Sequence, residues 1–294
     1  MHQPVLLQET IEGLSFKKGD VFLDATINRG GHSREVGRNF GKEVKIIGFD
    51  LDTSALAEAE KNLRGFNATL VNENFRNLDK ALDKLQIKKI DKALFDLGLS
   101  MQELRESGRG FSFNKDEPLL MTFSKNPGQD EISAKDILNS WSEELISKIL
   151  HSFSDEKYAR QISRKIVEVR RRKKFETTYD LVETIKEATP YGYQRGRIHF
   201  ATKTFQALRM AVNDELGALG EGMEKAFKRL SEDGRMAVIT FHSVEDRAVK
   251  RFFIEKVKDK KARFVGPKFI KPTREEIKEN PASRSAKLRI LEKI

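Results

Sequence analysis

Asp24-Ala25-Thr26-Ile27-Asn28-Arg29-Gly30-Gly31-His32 follows the apolar run Val21-Phe22-Leu23 and reads as a strand that runs into a glycine turn and opens a helix. In a doubly wound α/β sheet such a junction lies at the carboxyl edge of the first strand, where glycines let a ligand approach the backbone and the helix N-terminus faces it. The ligand crevice is therefore expected here. The next apolar run, Lys45-Ile46-Ile47-Gly48-Phe49-Asp50, ends in a carboxylate 20 residues after Gly30. An acid at that distance suits a ribose diol.

The turn is not a dinucleotide fingerprint. G-x-G-x-x-G is absent and no lysine follows a G-x-x-x-x-G, which disfavours NAD and ATP. An acid at the end of each of the first two strands, with a Gly-Gly turn between them, fits the adenosine and methionine halves of S-adenosylmethionine better. The competing reading is an ordinary strand-to-helix glycine turn.

Outward from this junction, strand and helix signals alternate. Asp52 or Thr53 can cap a helix in which Leu56, Ala59, Glu60 and Leu63 recur at helical spacing. Ala68 to Val71 reads as a third strand leading to Asn74-Phe75, Leu78, Leu82 and Leu85 mark another helix, and Ile90 to Asp96 reads as a fourth strand. This is the first half of a parallel sheet. The alternation then stops. From Arg105 to Phe200 there is a turn-rich stretch followed by helical patterns at Ala134 to Leu150 and Glu156 to Arg172, with no clear strand. It resumes with a long amphipathic helix, Phe205 to Leu230, a fifth strand at Gly234 to Phe241, a helix at Val244 to Val257, and last strands at Ala262 to Val265 and Ala286 to Leu291. The expected organisation is one α/β domain, residues 1–104 and 205–294, interrupted by an inserted helical domain, residues 105–204.

A chain of 294 residues with 38% hydrophobic content can bury a substantial core. It has no cysteine, which excludes disulfides and thiolate metal sites, and no long apolar run. A soluble cytoplasmic protein is the simplest reading. The net charge of +10 is uneven: residues 157–203 hold 13 Lys/Arg against 5 Asp/Glu, and residues 247–294 hold 16 against 6. The rest of the chain is acidic. A polyanion would thus be held by those two stretches, unless they are only solvated helix faces.

Many ordered matches now point to one family. They are His2-Gln3-Pro4-Val5-Leu6-Leu7, the Arg29-Gly30-Gly31-His32-Ser33 turn, Asp96-Leu97-Gly98, Arg109-Gly110-Phe111-Ser112-Phe113, Thr204 to Arg209, Phe241 to Arg247, and Asn280 to Arg289. Over nearly its whole length the chain resembles the bacterial 16S ribosomal RNA (cytosine-N4) methyltransferases, which modify a cytidine in the decoding region of the small subunit with S-adenosyl-L-methionine. The resemblance implies a Rossmann-like class I methyltransferase parallel sheet with an inserted, mostly helical RNA-recognition domain. It also implies 16S rRNA or the small ribosomal subunit as partner, no membrane, and it leaves room for a homodimer.

Carried over position by position, the family's cofactor contacts fall on Gly30, Gly31, His32, Asp50, Phe75 and Asp96, and on Glu103, beside which stands Gln102. The glycines would permit close approach of the methionine end, Asp50 would accept the ribose hydroxyls, and Phe75 would offer a flat face to adenine. The chain departs from the family at Ala25 and Asn28, where glycine is usual, and at Leu120, Thr122 and Ser124, where two acids and an arginine are usual. An asparagine tolerates the left-handed conformation that glycine adopts.

For the substrate, the basic run Arg170, Arg171, Arg172, Lys173 and Lys174 is the candidate for RNA phosphates, and His242 is either a substrate contact or a core residue. Ser243-Val244-Glu245-Asp246 is a capping-box pattern. With 5 histidines and no HxH or HExxH pairing there is no metal case. Trp141 reads as core rather than as a base-stacking platform. The exocyclic amine of cytosine is a poor nucleophile, so an enzyme must align it with the sulfonium methyl and accept a hydrogen bond from its N–H. Asp96 is the expected acceptor and catalytic group. The rival classes are a small-molecule Rossmann enzyme and a non-catalytic ribosome-assembly factor that keeps the fold.

Overall fold

The computed structural model of the protein describes residues 4–98, 107–124 and 131–294. The chain forms two compact units, one of residues 1–99 with 216–294 and the other of residues 100–215.

The first unit is built on a seven-stranded sheet. Its strands are β1 (Val21–Asp24), β2 (Lys45–Asp50), β3 (Ala68–Asn72), β4 (Ile90–Asp96), β5 (Leu230–Thr240), β6 (Ala262–Phe264) and β7 (Lys287–Lys293), in the order β3-β2-β1-β4-β5-β7-β6. β1 to β5 pair in parallel, and β7 runs antiparallel between β5 and β6. The inner strands are apolar on both faces because both faces are covered. Successive residues therefore feed two cores. Leu23, Ile47, Phe95 and Val238 join one with Leu219, Met223 and Phe253, while Phe22, Ile46, Leu94 and Ile239 join the other with Leu14 and Val36.

After β1 the chain steps outward through β2 and β3, then returns to lay β4 on the other side of β1. That reversal is the switch point of the sheet, the place at which open α/β sheets in general bind their ligands. The strands flanking it end in Asp24 and Asp96, and β2 ends in Asp50. Asp52 caps the helix Thr53–Asn62, its carboxylate accepting the Ser54 N–H at 2.8 Å.

The second unit is helical, with Ala134–Ser140, Glu143–Ser154, Ala159–Arg170, Thr178–Ala188 and Thr202–Val212 packed around Ile137, Leu150, Ile162, Ile166, Leu181 and Leu208. Among its described residues the β-pairing is one isolated bridge, Pro118 with Thr177. Trp141 packs against this core.

The single long helix expected over Phe205 to Leu230 is instead two, Thr202–Val212 and Glu215–Arg229. The 3.6-residue apolar rhythm runs straight through the break, so periodicity alone does not reveal it. Asp214 turns left-handed, with φ of 44°, a conformation Asp and Asn tolerate. The Asn213 side chain donates to the carbonyls of Arg209 and Met121 and accepts the Phe123 N–H at 2.8 Å. The Arg209 guanidinium grips both oxygens of Glu215 at 2.8 and 3.0 Å. Residues 205–215 accordingly pack with the helical unit. Likewise Ala134 to Leu150 is two helices, because Trp141 leaves the helical conformation and Ser142 caps the second.

Candidate cofactor and active site

The turn after β1 is shaped by residues that could not be exchanged freely. Gly30 has φ of 78° and stands just before the helix Gly31–Phe40, and Asn28 is left-handed at 48°. A Cβ on Gly31 would lie 2.5 Å from the Pro4 ring. These glycines are thus required by the fold itself, before any ligand is considered. Ala25, at 1% exposure, sits in the core, which has closed around its methyl group.

Three carboxylates collect at this edge. Asp24 is buried and accepts the Ser33 hydroxyl at 2.6 Å. Burial pushes its carboxyl up to about 6, against the hydrogen bonds from Ser33 and Thr26, and the charge of Asp50 adds to the rise. Asp50 accepts main-chain N–H groups on both oxygens, from Asn28 at 2.9 Å and from Asp52 at 2.8 Å. It therefore fixes the left-handed turn at Asn28.

Asp96 is set by its own neighbours. Its N–H donates to the Thr26 hydroxyl at 2.7 Å, and its Oδ1 accepts the Gly98 N–H at 3.1 Å. Burial raises its pKa to about 7; the Gly98 hydrogen bond opposes the rise, and the charges of Asp24 and Glu245 reinforce it. A carboxyl poised near neutrality at the end of a switch-point strand is the kind of group that active sites tune for proton exchange. His32 is buried at the first turn of the helix, its Nε2 lying 3.1 Å from the Val5 carbonyl and its Nδ1 3.7 Å from Asp96 Oδ2. A carbonyl can only accept, so the Nε2 proton is fixed and Nδ1 is the atom turned to Asp96.

Phe75 stands in a short 3-10 turn after β3, half-buried, edge-on to Phe95 with ring centres 5.6 Å apart. A Cβ on Gly222 would come within 2.6 Å of the ring, so a bare helix backbone seats it. Gly30, Gly31, His32, Asp50, Phe75 and Asp96 all belong to this one unit, at or near the carboxyl ends of β1 to β4. Glu103 and Gln102 lie outside the described residues. Thr26, Ser33 and Glu245 complete the framework and were not among the residues expected from sequence. For Thr26 and Ser33 the signal was spacing alone, hydroxyls two and nine residues after Asp24, whereas Glu245 stood in the sequence only as part of a capping-box pattern.

His242 has a structural part in the helix that follows β5. It, and not Ser243, caps the helix Ser243–Lys258: its Nδ1 accepts the Glu245 N–H at 3.3 Å while its Nε2 lies 2.8 Å from the Glu245 carboxylate. Glu245 in turn accepts the main-chain N–H groups of Phe241 and His242 at 3.0 and 3.3 Å. The capping box is shifted by one residue: His242 Nδ1 makes the capping bond, and Nε2 is buried beside the Glu245 carboxylate without a hydrogen bond of its own. Asp246 is released from capping and binds Lys287 and Arg289 at 2.9 and 2.8 Å.

The basic run of the helical unit divides. Arg170 turns inward and donates to the carbonyls of Leu138 and Trp141 at 2.9 and 2.6 Å, closing the C-terminus of the helix Ala134–Ser140. Both bonds come from one nitrogen of the guanidinium, Nη1. Lys173 is paired with Asp180 at 2.6 Å, whereas Arg171, Arg172 and Lys174 are exposed and make no ion pair among the described residues. Replacing Arg170 with alanine should lower the melting temperature by stranding two helix-end carbonyls. Arg171→Ala with Arg172→Ala should leave it unchanged, and thermal melts of the two proteins decide between these roles.

The segment where the chain departs from the resemblance is held through its main chain. Arg109 donates to the carbonyls of Thr122 and Phe123 at 2.7 and 2.6 Å, and Glu117 accepts the Gly110 N–H at 3.0 Å. Leu120, Thr122 and Ser124 therefore lie on a path held by Arg109 and Glu117. Among the described residues no group of three or more His, Asp or Glu side chains could hold a metal ion. No helix among them is long and apolar enough to cross a membrane.

Comparison with known proteins identifies the family. Residues 1–294 match the sequence model of the MraW methylase family. A ribosomal RNA small subunit methyltransferase H from Clostridium botulinum (strain Kyoto / Type A2) is 42% identical over 309 residues, covering 100% of this chain and 99% of the relative. Proteins of the same name from Paenibacillus sp. (strain JDR-2) and Acetivibrio thermocellus are each 41% identical, with the same coverage. Among solved structures, an rRNA methylase from Streptococcus thermophilus aligns with a TM-score of 0.47 at 12% identity, over 100% of this chain and 99% of that one.

Proposed function

Because the chain belongs to the MraW methylase family, we propose that it transfers a methyl group from S-adenosyl-L-methionine to the exocyclic N4 amine of a cytidine in the decoding region of 16S ribosomal RNA, in the cytoplasm. The observation that carries the chemical part of this reading is Asp96, a carboxyl near neutral pKa at the end of β4, beside the glycine turn and the Asp50 carboxylate.

The residues present fit the cofactor. Asp50 places a carboxylate at the end of β2, the position that suits a ribose diol, Phe75 offers a half-buried aromatic ring, and a buried carboxylate favours a cationic sulfonium nearby. When bound, S-adenosylmethionine supplies an electrophilic methyl group. Asp96 accepts a hydrogen bond from the target amine and holds its lone pair toward that methyl. As the nitrogen gains its bond to carbon it becomes more acidic, and Asp96 takes the proton it sheds. Holding the two reactants in line contributes on the order of 7 to 11 kcal/mol to lowering the barrier, so no strong base is needed.

Arg171, Arg172 and Lys174 bind RNA phosphates in this reading. Replacing them should lower the slope of log affinity against log salt by up to about one unit per lost contact and leave cofactor binding intact. Fluorescence titrations with small-subunit RNA at several salt concentrations measure both, and equal slopes would assign the run to a solvated face. Calorimetric titration with S-adenosylmethionine tests the reading as a whole. One cofactor bound per chain is the expected result, and no binding by a folded protein overturns it.

A further inference from the structure

The cations of the C-terminal stretch converge on one exposed ring. Phe269 is 36% exposed, and the charged groups of Lys271, Lys287 and Arg289 lie 5.5, 5.4 and 5.4 Å from its centre. The main chain sets this arrangement. Ile270 exchanges two hydrogen bonds of 2.9 Å with Leu288, and both of these side chains turn into the core. Their flanking residues, Phe269 and Lys271 on one segment and Lys287 and Arg289 on the other, therefore share the opposite face.

Beneath the ring the charges are anchored. Arg289 is buried and donates to Asp246 Oδ1 at 2.8 Å and to the Lys268 carbonyl at 2.6 Å, and Lys287 takes the other Asp246 oxygen at 2.9 Å. One carboxylate thus answers two cations, while Lys268 and Lys271 make no ion pair among the described residues. A loop stabilised only by cation–π contact needs neither an exposed ring nor this surplus of positive charge. Thr240 pairs with Lys287 in the β5 to β7 register, which puts the cluster at the same carboxyl edge of the sheet as Asp24 and Asp96. Asp246 also follows Glu245, whose charge reaches Asp96.

We infer that Phe269 with Lys268, Lys271 and Lys287 forms a subsite for single-stranded RNA, in which one base stacks on the ring and the adjoining phosphates meet the lysines. Every base has a flat face, so the subsite is indifferent to sequence and holds the strand beside the target nucleotide. The inference rests on the proposed RNA methylation and adds to it a place on the protein.

The test uses the full chain and a fluorescein-labelled single-stranded oligoribonucleotide read by anisotropy, with cofactor affinity and melting temperature measured in parallel. Phe269→Ala should weaken RNA binding by about fivefold to a hundredfold, and Phe269→Tyr should restore it. Lys271→Ala, which leaves the ring in place, should lower the salt slope by about one. None of the three should change the affinity for S-adenosylmethionine. Unaltered affinity in Phe269→Ala with an unaltered slope in Lys271→Ala overturns the inference, as does a Phe269→Ala protein that loses melting temperature without losing RNA. If the unsubstituted protein methylates RNA under that outcome, the proposed function stands and only the subsite falls. If it neither binds nor methylates RNA, both fall.

Discussion

Asp96→Asn should slow methyl transfer about a hundredfold or more at saturating cofactor while the protein stays folded. The substitution keeps the shape of the side chain and the acceptor for the Gly98 N–H, but it removes the charge that receives the amine proton. In the unsubstituted protein the apparent kcat/KM for cofactor should rise with pH through about 7, where the free carboxyl titrates. The corresponding step in kcat should lie lower, because a bound sulfonium favours the charged form of a neighbouring acid. Both steps should vanish in the variant, leaving the lower titration of Asp24 near 6. A near-normal rate or an unaltered profile would remove Asp96 from the mechanism.

The same raised pKa predicts the sign of a stability effect. Asp96 holds its proton up to about 7 in the folded protein but only to its ordinary 3.8 when unfolded. Its stabilising contribution is therefore complete below 3.8 and lost as pH rises through 7. Asparagine cannot ionise, so Asp96→Asn should melt higher than the unsubstituted protein above pH 7, with the difference closing toward pH 4. Gaining stability while losing rate is the mark of a group kept for chemistry.

Asp50→Ala should weaken S-adenosylmethionine binding by about 1.5 to 3 kcal/mol, the worth of hydrogen bonds to a charged acceptor, or roughly tenfold to more than a hundredfold in Kd. Asp50→Asn should be little better. Both Asp50 oxygens accept main-chain N–H groups, from Asn28 and Asp52, so an amide would point its own donors at one of them and loosen the left-handed turn at Asn28. Calorimetry on the two variants, with circular dichroism to verify folding, measures this. An unaltered Kd in a folded Asp50→Ala protein contradicts the site.

The sheet was legible in the sequence because β1, β2 and β4 are short apolar-rich stretches of 4, 6 and 7 residues, each ending in an acid that cannot follow it into the core. What was hidden depends on contacts distant in sequence or on one residue's conformation. The helix break at Asn213-Asp214 lies inside an unbroken apolar rhythm and is fixed by Met121 and Phe123, about ninety residues earlier. Composition marks Arg170 to Lys174 as basic, but only the carbonyls of Leu138 and Trp141 decide that Arg170 turns inward. His242 caps a helix where Ser243 is the commoner choice, because a buried Glu245 answers its ring. Asp96 could be singled out by its strand, yet its near-neutral pKa arises from burial with Asp24 and Glu245 close by, which the sequence places seventy-two and one hundred and forty-nine residues away.

One product decides the reaction. Single-turnover incubation of the protein with methyl-labelled S-adenosylmethionine and unmethylated small-subunit RNA, followed by digestion to nucleosides, reports the methylated atom directly. The label should appear in N4-methylcytidine, and it should be lost in parallel with the rate when Asp96→Asn is used. Label on a ring carbon or a ribose oxygen, or no transfer by a protein that binds both cofactor and RNA, would contradict it.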